Sequence, residues 1–253
     1  MIRALFLSSL LALPAYAAES IEISSSSRQT AVVELFTSEG CSSCPPADKW
    51  LARLAQSDGD ELDVLPLSFH VDYWDYIGWK DPFASPAYTK RQRQLGANNR
   101  QRTIYTPEFF VNGKESRGSN RILEHIKKVN QQKAVLQLDL SVSKLDNKLL
   151  FTLQSSAHSN APDNLHHRYI VYEDHLSSQV TRGENSGETL AHQRVVRYLS
   201  APTSLRSSNR HSVAIDPQWR AENIGVAVVV ATPGESEYLQ ALYGPVSALL
   251  LPE

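Results

Sequence analysis

Between residues 31 and 130, short continuous apolar runs alternate with apolar stripes of helical period, and from Ala134 onward the period drops to two. The first run, Ala31-Val-Val-Glu-Leu-Phe36, suits a buried strand and is broken by Thr37-Ser-Glu-Gly40. Beyond it Ala47, Trp50, Leu51, Leu54 and Ala55 recur at i, i+3, i+4, i+7 and i+8, which predicts an amphipathic helix. Pro45 and Pro46 suit that helix's first turn, and Asp58-Gly59-Asp60 ends it. Residues 62–71 form a second strand candidate, with Pro66 placing it at an edge or a bulge. Residues 72–83 are dense in aromatics, and Ser85-Pro86 opens a weakly amphipathic helix through about Leu95. Pro107 then introduces Glu108-Phe-Phe-Val111, Asn112-Gly113 signals a hairpin, and a closing helix buries Ile122, Leu123, Ile126 and Val129.

The second half alternates strictly at first: Leu136, Leu138, Leu140, Val142, a turn at Asp146-Asn147, then Leu149, Phe151 and Leu153. Further strand candidates cover residues 168–173, 189–199, 210–215, 225–232 and 238–243. That spacing predicts an all-β half of β-sandwich, immunoglobulin-like type. The change of period puts a boundary between Gln131 and Ala134, dividing the chain into 31–132, with a helical insertion at 72–104, and 133–253. Residues 18–30, with four serines from Ser24 to Ser27, read as a flexible lead-in.

Composition adds an address and removes some partners. Arg3, the apolar stretch 4–13 and Pro14-Ala15-Tyr16-Ala17 have the form of a signal peptide over residues 1–17, cleaved after Ala17. The apolar stretch is shorter than the ~20 residues needed to span a bilayer, so no membrane anchor is expected after cleavage and the chain is expected to be exported, periplasmic or secreted. A formal charge of −2 over 253 residues supplies no global basic field, and nucleic acid is not an expected partner. Lys90, Arg91, Arg93, Arg100 and Arg102 form one basic run, which reads as a solvated helix face or as a positive rim that favours a thiolate at Cys41.

The chain has two cysteines, Cys41 and Cys44, at the predicted junction of strand and helix. A helix N-terminus offers unpaired N–H groups and a positive dipole end, which stabilise a thiolate. Cys41 precedes the helix and is expected to be the exposed attacking sulfur, with Cys44 resolving the mixed disulfide. Glu39 opposes thiolate formation by its charge. Two other readings stand beside this one. A plain disulfide across so short a loop gains little entropy, and two cysteines make only half of a structural zinc site. Glu34, between Val33 and Leu35 in a predicted central strand, is either a buried acid that exchanges the proton of Cys44 through water or a strand-edge carboxylate reaching solvent.

The order strand, Cys-x-x-Cys, helix, strand, insertion, then Thr106-Pro107 before a hairpin and a helix resembles a thioredoxin fold over residues 31–131. The resemblance implies a cis-proline at Pro107 facing the cysteines, with Thr106 before it accepting extended substrate, and a buried acid near Glu34, offset by one residue. It also raises a copper-carrier variant in which Cys41, Cys44 and His70 bind the metal, although such carriers have three residues between their cysteines and this chain has two. The strings Val33-Glu-Leu-Phe-Thr-Ser-Glu-Gly-Cys-Ser-Ser-Cys-Pro-Pro-Ala-Asp48 and His70-Val-Asp-Tyr-Trp-Asp-Tyr-Ile-Gly-Trp-Lys-Asp-Pro-Phe83, with Arg182-Gly-Glu-Asn185, closely resemble an uncharacterised secreted family, domain of unknown function 1223. The expectation is therefore an exported thiol-disulfide oxidoreductase without a cofactor. Its partners would be protein thiols or disulfides and a redox partner protein, and the competing class is a binding module or metal carrier on the same fold.

Overall fold

The computed structural model describes residues 19–57 and 62–251. The signal-peptide reading of residues 1–17 and the helix stop at 58–60 lie outside the described residues. Within them the chain forms β1 (Ser20–Ser24), β2 (Ala31–Thr37), α1 (Pro45–Gln56), β3 (Val64–His70), a 3-10 turn at Asp75–Ile77, α2 (Pro86–Asn98), β4 (Glu108–Val111), β5 (Lys114–Glu115) and α3 (Ser119–Asn130). The second half contributes β6 (Leu136–Leu145), β7 (Lys148–Ala157), β8 (His166–Glu173), β9 (Leu176–Gln179), β10 (Thr189–His192), β11 (Val195–Leu199), β12 (Thr203–Ser204), β13 (Ser208–Ala214), β14 (Ile224–Ala231), β15 (Tyr238–Pro245) and α4 (Ser247–Leu250). No helix among the described residues is long and apolar enough to cross a membrane.

One sheet runs through both halves in the order β15-β14-β8-β11-β3-β2-β4-β5, with β12 pairing β8. β2 and β3 are parallel, and β4 returns antiparallel to β2. Alternation along the strands gives this sheet two working faces. Val32, Glu34 and Phe36 of β2 and Ala227, Val229 and Ala231 of β14 point to one face, into a single apolar core that includes Tyr88 and Leu95 of α2. On the other face Ala31, Val33 and Leu35 pack with α1 and α3. Val226, Val228 and Val230 of β14 pack on that same face against Leu138, Leu140, Phe151 and Leu153 of a second sheet, β1-β6-β7-β13.

The division at residues 131–134 is therefore corrected. The two-residue period does begin there, but the strands it announces extend the first half's sheet and share its core, because β8 and β14 are apolar on both faces. Pro66 shows how the join is kept short. The Ser68 N–H donates to the Arg194 carbonyl at 2.8 Å, so position 66 faces β11 too, where a proline has no N–H to offer. The one registered pair between β11 and β3 is Val195 with Ser68.

The flexible lead-in is corrected as well. Residues 20–24 pair antiparallel with β6, from Ser20 opposite Ser143 to Ser24 opposite Asp139, and Ile21 and Ile23 pack on the second core. Their alternation is the strand signal that the serines beside it obscured. The run 189–199 is two strands of different sheets, separated by Gln193 and Arg194. In α2 the weak amphipathicity reflects a buried face that is polar: Arg91 and Gln92 are buried with Tyr88, Thr89 and Leu95. Lys90, Arg93, Arg100 and Arg102 are exposed, so Arg91 alone leaves the solvated basic run.

Candidate functional site

Cys44 is the N-cap of α1, and Cys41 and Cys44 form a disulfide. The helix begins here because Pro45 and Pro46 have φ fixed for the first turn, and the Cys44 carbonyl takes the N–H groups of Ala47 at 2.8 Å and Asp48 at 3.1 Å. The same prolines remove two of the N–H groups a helix start usually leaves free. The expected exposure of Cys41 is corrected: Cys41 is 1% and Cys44 0% exposed, while Ser42 and Ser43 between them face solvent. The Ser43 hydroxyl lies 3.3 Å from the Cys41 sulfur.

Two segments cover the pair. From the insertion, Trp74 and Ile77 come so close to Gly40 that a Cβ there would stand 3.1 Å from Trp74 Cβ and 3.2 Å from Ile77 Cδ1. Trp74 Nε1 also donates to the Thr106 hydroxyl at 2.7 Å, which ties the cysteine loop to the residue before Pro107. The Thr106-Pro107 bond is cis, as the resemblance implied. Glu108, next along, pairs with Phe36, so Thr106, Pro107 and the cysteine loop share one end of the sheet. From the second half, the turn joining β9 to β10 reaches over the loop. The Asn185 amide donates to the carbonyls of Glu39 at 2.8 Å and Cys41 at 3.1 Å, and Glu184 Oε2 accepts the Ser42 N–H at 3.0 Å.

Beneath the cysteine loop is a buried polar cluster that local pattern did not reveal. His70, at the end of β3, meets Asp81 at 2.7 Å through Nδ1, and the same Asp81 oxygen accepts the Glu39 N–H at 2.9 Å. Glu39 meets His192 of β10 at 2.9 Å and accepts from Trp79 Nε1 at 2.8 Å. The two imidazoles stand edge to face with centroids 4.8 Å apart, and Phe83 borders both. Asp48, one helical turn from Cys44, accepts from the Thr37 hydroxyl at 3.2 Å. Asp48 Oδ1, His70 Nε2 and His192 Nδ1 are buried without a hydrogen-bond partner.

Burial sets the charges of this cluster. It pushes the Asp48 carboxyl above the ordinary carboxylate range, against the pull of His192, His70 and the Thr37 hydrogen bond. Burial also favours neutral His70, but the charge and hydrogen bond of Asp81, with Asp48 and Glu39 behind it, hold the imidazole pKa above its usual value. Asp81 is held low: burial alone would raise it, and His70 with the N–H groups of Glu39 and Phe83 more than reverse that.

Glu34 is not part of this cluster. Its side chain is on the α2 face of the sheet, opposite the face against which α1 packs. There Arg91 Nε donates to it at 2.6 Å and the Tyr238 hydroxyl at 3.0 Å. Arg91 continues to Glu235, which also takes two bonds from Arg168. The expectation that Glu34 exchanges a proton with Cys44 is corrected by this geometry, because the carboxylate is committed to a buried ion pair across the sheet. His70 does lie beneath the cysteine loop, but its Nδ1 is engaged by Asp81 and both cysteine sulfurs are engaged with each other, so Cys41, Cys44 and His70 offer no ligand set in this oxidised state. Among the described residues no group of three or more histidines, cysteines or acids is placed to hold a metal.

Sequence reasoning named Glu39 and His70 but missed Asp48, Asn185 and His192 as parts of the site. The spacing Cys-x-x-Cys-Pro-Pro-Ala-Asp, which sets Asp48 four residues after Cys44 on one helix face, was the available signal for the first. His192 lies 153 residues from its partner Glu39, and no local pattern announces it.

Residues 32–231 match the family described as "Protein of unknown function (DUF1223)". The chain belongs to that family. Among solved structures, the DUF1223 chain is similar to a protein of Agrobacterium tumefaciens determined by structural genomics, with 23% identity, a TM-score of 0.63, and coverage of 85% of this chain and 94% of that one. It is also similar to HBP35 of Porphyromonas gingivalis, with 16% identity, a TM-score of 0.68, and coverage of 87% and 76%. At these identities the likeness concerns the fold. No curated protein matches the sequence.

Proposed function

We propose that this DUF1223 protein is an exported thiol-disulfide exchange protein of thioredoxin-like type over residues 31–131, with the Cys41–Cys44 disulfide as its reactive group. The observation that carries the reading is the position of that disulfide, closed by the N-cap of α1 with a buried acid, Asp48, one turn below it. The apolar stretch and small-residue site of residues 1–17, together with a disulfide, support placement outside the cytoplasm.

A substrate thiolate attacks the Cys41 sulfur, the Cys41–Cys44 bond breaks, and Cys44 leaves as a thiolate that takes up a proton with Asp48 as the nearest buried acid on its helix. A second substrate thiol, deprotonated, then attacks its own sulfur in the mixed disulfide and releases Cys41. The substrate dithiol becomes a disulfide, the protein disulfide becomes a dithiol, and the two protons pass from substrate to cysteines. The reverse reaction uses the same groups.

Burial of both sulfurs favours a second reading, an inert bridge in a binding module. Trapping separates the two. In Cys44→Ser, Cys41 is expected to accumulate a mixed disulfide with an oxidised polypeptide, visible as a mass shift that a reductant removes. A Cys44→Ser protein that forms no such adduct, in a background where the native pair neither reduces nor oxidises a test disulfide, would sink the exchange reading.

A further inference from the structure

The proposed exchange requires a thiolate to reach Cys41, yet the sulfur is covered. Beside Trp74 and Ile77 of the insertion, the cover comes from one short turn, at the tip of the hairpin formed by β9 and β10, which pairs with neither of the two larger sheets. At the base of this hairpin the buried His192 is bonded to Glu39, so the base belongs to the site's interior. At the tip, Glu184 and Asn185 are flanked by Gly183 at φ 76° and Gly187 at φ 94°, a backbone region other residues rarely occupy. Glu184 is exposed, and hydrogen bonding from the Ser42 side chain and then from its N–H holds the carboxyl below the ordinary range. Gly183 also gives room for the insertion, since a Cβ there would stand 3.1 Å from Ile77 Cδ1.

The three bonds made by the tip go to main-chain groups of the cysteine loop: the carbonyls of Glu39 and Cys41 and the N–H of Ser42. Two acceptors and one donor in a row are the groups that an extended polypeptide pairs with. Asn185 supplies donors and Glu184 an acceptor, which is the hydrogen-bonding edge of a peptide made from two side chains.

We propose that the hairpin tip is a flap that selects the substrate of the exchange reaction, with Glu184 and Asn185 as its specificity-determining residues. Closed, it excludes small thiols. It opens for a polypeptide whose own main chain replaces the bonds to Glu39, Cys41 and Ser42, and this inference rests on the exchange reading above.

The test is the rate at which the Cys41–Cys44 disulfide of the purified protein is reduced, read by mass after alkylating the thiols released. With dithiothreitol, Glu184→Ala/Asn185→Ala is expected to react about tenfold faster than the native protein, because the closed state has lost its three bonds. Glu184→Ala alone changes an exposed side chain and is expected to fall between the two, which keeps the test valid if the double variant folds poorly. With a cysteine-containing peptide dithiol, the native protein is expected to react faster than with dithiothreitol at equal thiol concentration, and the double variant to lose that preference. Equal dithiothreitol rates in native and Glu184→Ala proteins, or a native protein with no preference for the peptide, would overturn the flap. If the variants open to dithiothreitol but neither native nor variant protein exchanges with the peptide, the exchange function itself is wrong while the gating of the disulfide is upheld.

Discussion

Asp48 is the residue whose surroundings bear most directly on chemistry. Its carboxyl is buried, one oxygen has no partner, and burial raises its pKa against the attraction of two histidines. A carboxyl that keeps its proton above pH 3.8 can exchange it with a sulfur on the same helix face. Removing it should change how resolution of a mixed disulfide depends on pH, which a merely structural acid would not do. In Asp48→Asn the single-turnover resolution rate is expected to fall by about a hundredfold and to lose the pH inflection belonging to Asp48. Superimposable pH profiles for the native and Asp48→Asn proteins would remove Asp48 from the mechanism. Glu34→Gln is the comparison: it should leave the profile unchanged, since Glu34 is paired with Arg91 on the opposite face of the sheet. The two acids show what local sequence can and cannot resolve. A Glu in an apolar run is legible as buried, but which of the two strand faces it takes, and whether an arginine from another element meets it there, is decided by packing.

At the scale of elements, the buried ion network on that face joins pieces from both halves of the chain. Glu34 belongs to β2, Arg91 to α2, Arg168 to β8, and Glu235 to the turn between β14 and β15. Two carboxylates and two guanidiniums balance, so the network holds these elements in register without leaving a net buried charge. Burial would raise the Glu235 pKa, but the two arginines pull it down to about 2. A depressed carboxylate contributes stability that is present above its unfolded value of 4.5 and lost as pH falls through about 2. The contribution is on the order of 3 kcal/mol, taking about 1.4 kcal/mol for each pKa unit. Urea unfolding between pH 6 and 2 is expected to show this loss in the native protein and a flatter dependence in Glu235→Gln, which starts from lower stability because Arg168 has lost its carboxylate. Parallel curves would show that Glu235 carries no such linkage. The elements themselves were largely readable where signals are local: α1 after its two prolines, the hairpin at Asn112-Gly113, and the alternation of β6 and β7. The strand β1 was missed because serines masked Ile21 and Ile23, and the break between β10 and β11 was missed because both flanking segments read as strand.

At the scale of the whole molecule, the core beneath α2 is common to both halves of the chain. Phe36, Leu65, Leu67, Phe69 and Phe110 from the first half lie in one cluster with Ile170, Tyr172, Val196, Ala227, Val229 and Ala241 from the second. The Tyr88 hydroxyl of α2 donates to the Val196 carbonyl at 2.9 Å, and Arg91 reaches Glu235 and Tyr238. A period change at Ala134 is a true signal of a different kind of secondary structure, but it carries no information about which sheet the later strands join, because pairing partners lie tens to hundreds of residues away. If residues 31–132 were an independent domain, a polypeptide ending at Gln132 would fold by itself. The shared core predicts that it does not. Such a fragment would leave apolar side chains beneath α2 facing water, an unpaired edge on β3, and Arg91 facing Glu34 without the second acid. It would also lack Asn185 and His192, so its cysteine loop would lose the β9–β10 turn above it and one of the two histidines beneath it. Thermal unfolding of the fragment followed by circular dichroism is expected to be broad and non-cooperative, with aggregation on heating, while the full chain melts in one transition. A sharp, reversible melt of the fragment with native-like near-ultraviolet signal would restore the two-domain reading and confine the chemistry to the first half.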